Sequence, residues 1–199
     1  MAFYLMRHGQ TLFNLQGLTQ GAVDSPLTEE GIRQAKKAKA FFEGEEISFD
    51  KAFSSTQERA TDTAKLVSGM DDVKQLKGIK EMNFGEFEVQ PWNLLPKFRP
   101  GANNFEDLLV PYGGEAIADV GVRVDTTIRQ LFQETAGQEV LVVSHGAAIW
   151  SFLLQNQLEL LLPEDFTISN CSIFQLDMDG DQIRLVRVID PIREVEWLF

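Results

Sequence analysis

The chain is predicted to be an α/β protein: a three-layer α/β/α sandwich whose mostly parallel sheet is closed by an antiparallel edge. Three observations predict this. FYLMRH near the start and VLVVSH past the middle are continuous apolar runs, the pattern of strands buried on both faces. A helical pattern follows each of them. Near the end, CSIFQLDM and QIRLVRVI are separated by Asp179-Gly180, a hairpin signal.

The elements follow in order. After the first strand, Thr28 is placed to cap a helix over SPLTEEGIRQAKKAKAFF, with Glu29 and Glu30 in the first turn where the helix dipole favours anions. KAFSS is a shorter strand. Beyond it Ser55 and Glu58 have the spacing of a capping box opening a helix that runs to about Ser68. The longest helix is expected to start near Glu115, with Ile117, Val120, Val124, Ile128 and Leu131 on one face and Gly137 as terminator. From Gly146, GAAIWSFLLQNQL is apolar almost all round and reads as a helix buried against the sheet. The stretch from Val89 to Tyr112 breaks this rhythm. It holds four of the seven prolines with Trp92, Phe98, Phe105 and Tyr112 between them, and reads as a lid-like insertion over the strand ends, its aromatics packing on one another. Residues 1–199 are otherwise expected to form one domain.

Composition narrows the function. The 199 residues are 44% hydrophobic, enough for a full core. A net charge of −12 argues against nucleic acid and anionic membrane as partners, because the overall field repels polyanions. An anionic substrate then needs positive charge concentrated at one place. The single cysteine, Cys171, can form no internal disulfide, the N-terminus carries no signal-peptide pattern, and the longest near-apolar stretch, Ala147 to Leu154, is too short to span a bilayer. A soluble, cytoplasmic protein is expected.

The chemistry starts from two histidines, the only ones present. His8 and His145 each open a His-Gly step at the end of an apolar strand, where α/β sheets place their ligands. Arg7 lies beside His8, and a cation there suits an oxyanion and opposes a metal ion. Neither histidine has the company of carboxylates at ligand spacing, so no metal is expected. The combination points to phosphoryl transfer through a phosphohistidine.

LMRHGQT, Asn14, TQG (Thr19 to Gly21), DSPLTEEG, SSTQERATDTA, KEMNFGEF, GGE and VVSHG occur in an order that resembles the histidine phosphatase superfamily, which includes the cofactor-dependent phosphoglycerate mutases. The resemblance implies a phosphoglycerate mutase-like fold. It implies His8 as nucleophile, Arg7 and Arg59 as holders of the phosphoryl oxygens, and His145 as a second imidazole donating to them, neutral His8 and cationic His145 being expected with substrate bound. Glu81 is the implied general acid and base, with Glu86 and Glu88 as competitors close in sequence. Asn14 and Gly146 join the phosphate-binding set; Thr11, Gln20 and Gly21 are candidate substrate contacts at the same mouth. Gly9 is expected to let the backbone approach closely. Three positions depart from the family pattern: Gln10 stands at a commonly acidic position, Val89 where glycine is usual, and Ala116 where serine is usual.

Hydrolysis of a small-molecule phosphomonoester is the favoured reading, and a cofactor-dependent phosphoglycerate mutase the alternative. A mutase must grip a second anionic group, yet the insertion offers only Lys97 and Arg99, the tail DPIREVEWLF is acidic and apolar, and no third histidine exists. No cofactor is expected, 2,3-bisphosphoglycerate being a primer only for the mutase. Substrate identity and oligomeric state are not legible in the sequence.

Overall fold

The computed structural model describes residues 2–199. The chain runs β1 (Phe3–Arg7), α1 (Leu12–Gln16), α2 (Glu29–Gly44), β2 (Lys51–Ser55), α3 (Glu58–Ser68), β3 (Val73–Leu76), α4 (Ile117–Glu134), β4 (Val140–Ser144), α5 (Gly146–Gln155), β5 (Ile173–Asp179), β6 (Gln182–Asp190) and β7 (Val195–Leu198). The strands form one seven-stranded sheet in the order β3-β2-β4-β1-β5-β6-β7. The first four are mutually parallel, and β5, β6 and β7 continue the sheet antiparallel.

Strand alternation divides the core in two. On one face Phe3, Leu5, Val140 and Val142 meet Val120, Val124, Ile128 and Leu131 of α4 and Ile149, Phe152 and Leu153 of α5. On the other, Tyr4, Met6, Leu141 and Val143 meet Ala35, Ala38 and Phe42 of α2 and Ala60, Ala64 and Val67 of α3. A strand buried on both faces has no polar side to show, which is why β1 and β4 carry unbroken apolar runs.

Most local signals act as the sequence implies. The Thr28 hydroxyl accepts from Gly31 N at the start of α2, and β5 and β6 are joined through Gly180, at φ +61°. Three expectations need correction. The Ser55–Glu58 capping box does not form: α3 is capped by Gln57 without a side-chain bond, and the Ser55 hydroxyl binds a histidine instead. The longest helix begins at Ile117, two residues past Glu115, whose carboxylate is drawn away to Arg123. That helix ends at Glu134 with Thr135 as its cap, and Gly137 (φ +86°) lies in the turn beyond. Strands β3 and β7 and the one-turn α1 were not anticipated, being short and mostly half-exposed or exposed.

The insertion at 89–112 contains only two 3-10 turns, Trp92–Leu94 and Val110–Tyr112. Its aromatics pack edge to face, Phe98 on Phe105 at 4.8 Å between centroids and Tyr112 on Phe87 at 5.0 Å, while Leu109 is fully buried. Phe98 and Trp92 remain exposed.

Candidate active site

Sheet register brings the two histidines together. Strands β1 and β4 pair with Arg7 opposite Ser144, so the next residues, His8 and His145, leave the sheet side by side. The His8 amide donates to Ser144 O at 3.1 Å, and the rings lie 5.1 Å apart, tilted by 57°. Both are buried, with 3% and 0% of their surface exposed.

Their hydrogen bonds define opposite tautomers. His8 Nδ1 lies 2.7 Å from Gly9 O, and a carbonyl can only accept; the proton is therefore on Nδ1 and the lone pair on Nε2. His145 Nδ1 accepts from Arg59 Nε at 3.2 Å, since guanidinium can only donate, and its Nε2–H donates to the Ser55 hydroxyl at 2.7 Å. Burial, and then the charges of Arg59 and Arg7, hold His8 well below the usual histidine range. Burial, Arg59 and His8 do the same to His145. Both rings are thus neutral in the free protein. The cationic His145 expected with substrate requires an incoming anion to raise its proton affinity, and its Nδ1 must then give up the bond from Arg59.

The arginines differ in how they are tethered. Arg59, on the first turn of α3, is fully buried and donates to Val23 O (2.9 Å), Asp24 Oδ1 (2.8 Å) and Gly21 O (3.0 Å) besides His145. Arg7 uses Nη1 on Ile168 O at 2.6 Å, but its Nε is buried without a partner. An unpaired buried guanidinium N–H is costly, and an anion that reached it would relieve the cost. Gly146, the first residue of α5, sits beside this group: a Cβ built on it would lie 3.5 Å from Arg7 Nε.

The three glutamates separate cleanly. Glu81 is buried with its carboxylate at the start of α5, accepting from Ala148 N (2.8 Å), Ala147 N (3.1 Å) and Met82 N (2.8 Å). Burial raises its pKa, with those amides and Arg59 pulling against the rise. Glu88 is a structural staple, accepting from the amides of Gly21, Ala22, Val23 and Phe84. Glu86 is exposed. Of the three, only Glu81 places its carboxylate at the start of the helix that follows His145.

The outer candidates are tied into local structure. Thr11 caps α1, receives Asn14 N and donates to Gln20 Oε1 at 2.6 Å; Gln20 in turn donates to the Ser25 hydroxyl. Asn14 Oδ1 accepts from Thr11 N and, at 3.4 Å, from Asn170 Nδ2. Gly21 is required sterically, since a Cβ there would sit 2.1 Å from Met82 O, and its own carbonyl receives Arg59 and Gln57. Gly9 allows a close approach, but to α2 rather than to the histidine and arginine side chains: an added Cβ would lie 2.6 Å from Gly31 O.

Sequence reasoning assigned no site role to four contributors. Ser55 binds His145, Asp24 pairs with Arg59, Gln57 joins Glu81 N to Gly21 O, and Asn170 donates to His8 O at 3.0 Å. Asp24 opens the DSPLTEEG segment and Ser55 closes β2, so each had a positional cue. Asn170 had none, being 162 residues from His8. Among the described residues no group of three or more His, Cys, Asp or Glu side chains could hold a metal ion, and no helix is long and apolar enough to cross a membrane.

The arrangement offers a lone-pair nitrogen, two guanidiniums, a second imidazole, a helix N-terminus and a buried carboxyl group, a set suited to a tetrahedral oxyanion. Comparison with known proteins agrees. The family model described as histidine phosphatase superfamily (branch 1) matches residues 3–191. A probable phosphoglycerate mutase, GpmB, from Yersinia pestis is 33% identical over 184 residues, covering 87% of this chain and 83% of its own. The structure is similar to a phosphoserine phosphatase from Entamoeba histolytica (TM-score 0.79, 26% identity, 98% and 99% of the two chains). It is also similar to a phosphoglycerate mutase from Bacillus anthracis (TM-score 0.78, 26% identity, 93% and 91%).

Proposed function

Because the chain belongs to the histidine phosphatase superfamily, whose members transfer phosphoryl groups, we propose that it is a phosphatase that hydrolyses small phosphomonoesters without a metal ion or bound cofactor. Two observations on consecutive residues carry this reading: the lone pair on His8 Nε2 and the buried, unpartnered Nε of Arg7.

In the first step His8 Nε2 attacks phosphorus and the bond to the alcohol oxygen breaks in line. Arg7, Arg59 and Gly146 N hold the oxygens that keep their charge, with Asn14 at the edge of the cradle. Protonated Glu81 gives its proton to the leaving oxygen, and its raised pKa suits that task. As the phosphoryl dianion binds, His145 Nδ1 takes up a proton from solvent and donates to an equatorial oxygen, while Ser55 continues to hold Nε2; that proton is released when phosphate leaves. In the second step Glu81 carboxylate deprotonates water, the water oxygen attacks phosphorus, the P–N bond breaks and His8 is restored.

The mutase reading is favoured by the names of two similar proteins. Charge at the insertion favours hydrolysis. Arg99 is already paired with Glu106 at 2.7 Å and Asp107 at 2.6 Å, which leaves Lys97 to grip a second anion. The test is rapid mixing with a phosphomonoester labelled in the phosphoryl group, with and without 2,3-bisphosphoglycerate. Acid-labile label on His8 and primer-independent release of inorganic phosphate are expected. Label absent from His8 overturns the phosphohistidine, and primer-dependent isomerisation of 3-phosphoglycerate in place of phosphate release overturns the hydrolase.

A further inference from the structure

A cavity lies against the start of α5, bordering the proposed phosphoryl site at Gly146. Its volume is about 520 Å³, and Gly146 and Ala147, at the start of α5, belong to its wall. Trp150, one turn further along α5, lines it together with Phe98 and Phe105 from the insertion and Phe166 from the loop before β5. The cavity and the cradle are also joined through the backbone: Ile168, another lining residue, accepts Arg7 Nη1. Polar groups are few. Asn103, Asn104 and Thr167 are neutral, and the one charged side chain on the wall is Glu164.

We propose that this cavity receives the alcohol part of the substrate, and that this part is ring-bearing and carries no negative charge. The inference rests on the phosphatase reading and adds its substrate class. Size and lining are those of a small-molecule site, which spans about 300–1,000 Å³ and is mostly apolar with a few fixed polar groups. Aromatic side chains from three segments of the chain suit a flat ring, which prefers edge-to-face and offset contacts with them. A carboxylate or second phosphate would find no cation here. It would instead meet Glu164 within a protein of net charge −12. Arg99 of the insertion does not line the cavity and is held by Glu106 and Asp107. The insertion therefore acts in selection: by supplying Phe98, Asn103, Asn104 and Phe105, it decides which alcohol can sit beside Glu81.

The experiment compares kcat/KM for 1-naphthyl phosphate, ethyl phosphate and 3-phosphoglycerate in the wild type, Trp150→Ala, Phe98→Ala and Glu164→Lys. The wild type is expected to prefer 1-naphthyl phosphate to 3-phosphoglycerate by about a hundredfold or more. Each aromatic truncation is expected to reduce the naphthyl-to-ethyl ratio about tenfold, in line with the cost of emptying part of an apolar pocket. Glu164→Lys should shift preference toward 3-phosphoglycerate. Phe98 is exposed, so its variant tests the cavity even if Trp150→Ala fails to fold. A preference for 3-phosphoglycerate, or truncations that leave the ratio unchanged, would overturn the assignment while leaving the phosphatase intact. If no ester releases phosphate, the hydrolase reading fails by itself. Binding of 1-naphthylmethylphosphonate against 3-phosphoglycerate by calorimetry then decides the cavity separately, equal or weaker binding of the naphthyl compound counting against it.

Discussion

The cradle and the insertion sit next to each other and are built on opposite terms. In the cradle His8, His145 and Arg59 are buried, stand at strand ends or on a first helical turn, and are held by named partners. The insertion has no strand or α-helix, leaves Trp92, Leu94 and Phe98 exposed, and holds itself together by ring contacts. It also begins with strain: Val89 has φ +64°, the left-handed region that a β-branched residue rarely adopts. Under the proposed function, the difference separates reaction from selection. A group that must hold a tautomer needs a rigid, dry environment, whereas a wall that only shapes an alcohol can be assembled from loops.

Substitutions can break that division, beginning with the largest effect. His8→Ala should abolish covalent labelling and reduce turnover by about 10⁴-fold or more for every ester, because no other group can take the nucleophile's place. If the loss varies with the alcohol, chemistry and selection are not separate. Glu81→Gln comes next. Loss of general acid catalysis is typically worth about 10²–10⁴-fold, and it should be greatest for alkyl esters and small for activated aryl esters, whose leaving groups need no proton. In pH profiles the variant should lose the alkaline limb, since Glu81 must be protonated for the first step and burial places its pKa above the ordinary 4.5. An unchanged limb would move the acid elsewhere.

Ser55→Ala tests how firmly the cradle holds its second imidazole. It leaves His145 Nε2–H buried without an acceptor, a cost of about 1–3 kcal/mol, and should slow turnover about tenfold alike for aryl and alkyl esters. A change in substrate preference, rather than in overall rate, would contradict the separation.

Acid stability sharpens the same contrast. Both imidazoles are pushed well below 6.5 in the folded state, so below about pH 6.5 the unfolded chain binds protons that the folded chain does not. Their contribution is present above that pH and is lost as pH falls toward their folded values. Glu81 has the opposite sign: its raised pKa favours folding at and below pH 4.5 and loses that contribution as pH rises. His145→Gln should therefore show a smaller fall in Tm between pH 7 and pH 5 than the wild type, measured by differential scanning calorimetry; an equal fall would mean that His145 is protonated in the free protein. The smallest effect belongs to the insertion. Val89→Gly should raise stability in urea by about 0.5–1 kcal/mol, the relief of left-handed backbone less the added freedom of glycine in the unfolded chain, with no change in labelling of His8.

Much of this was legible from residue order, for reasons that differ by element. Strands β1 and β4 are buried on both faces, so their burial is written as unbroken hydrophobicity. Thr28 caps α2 through an atom three residues away, a relation that local spacing records. Strands β3 (VKQL) and β7 (VEWL) lie at the two edges of the sheet and need little apolar surface, so periodicity does not mark them. The error at Ser55 is of a different kind. Its spacing suits a cap, but in the folded chain a histidine 90 residues away takes the hydroxyl.

By itself the sequence determined the paired His-Gly steps, the arginine beside the first, and an α/β layering that sends both histidines to one edge of the sheet, because strand burial and helix capping are local or periodic properties. Tertiary structure alone decided that the Glu81 carboxylate sits on the first amides of α5, which nitrogen of each ring carries the proton, and that Asn170 reaches the His8 carbonyl. Those outcomes depend on distances between segments far apart in the chain, and on the burial that the distances create.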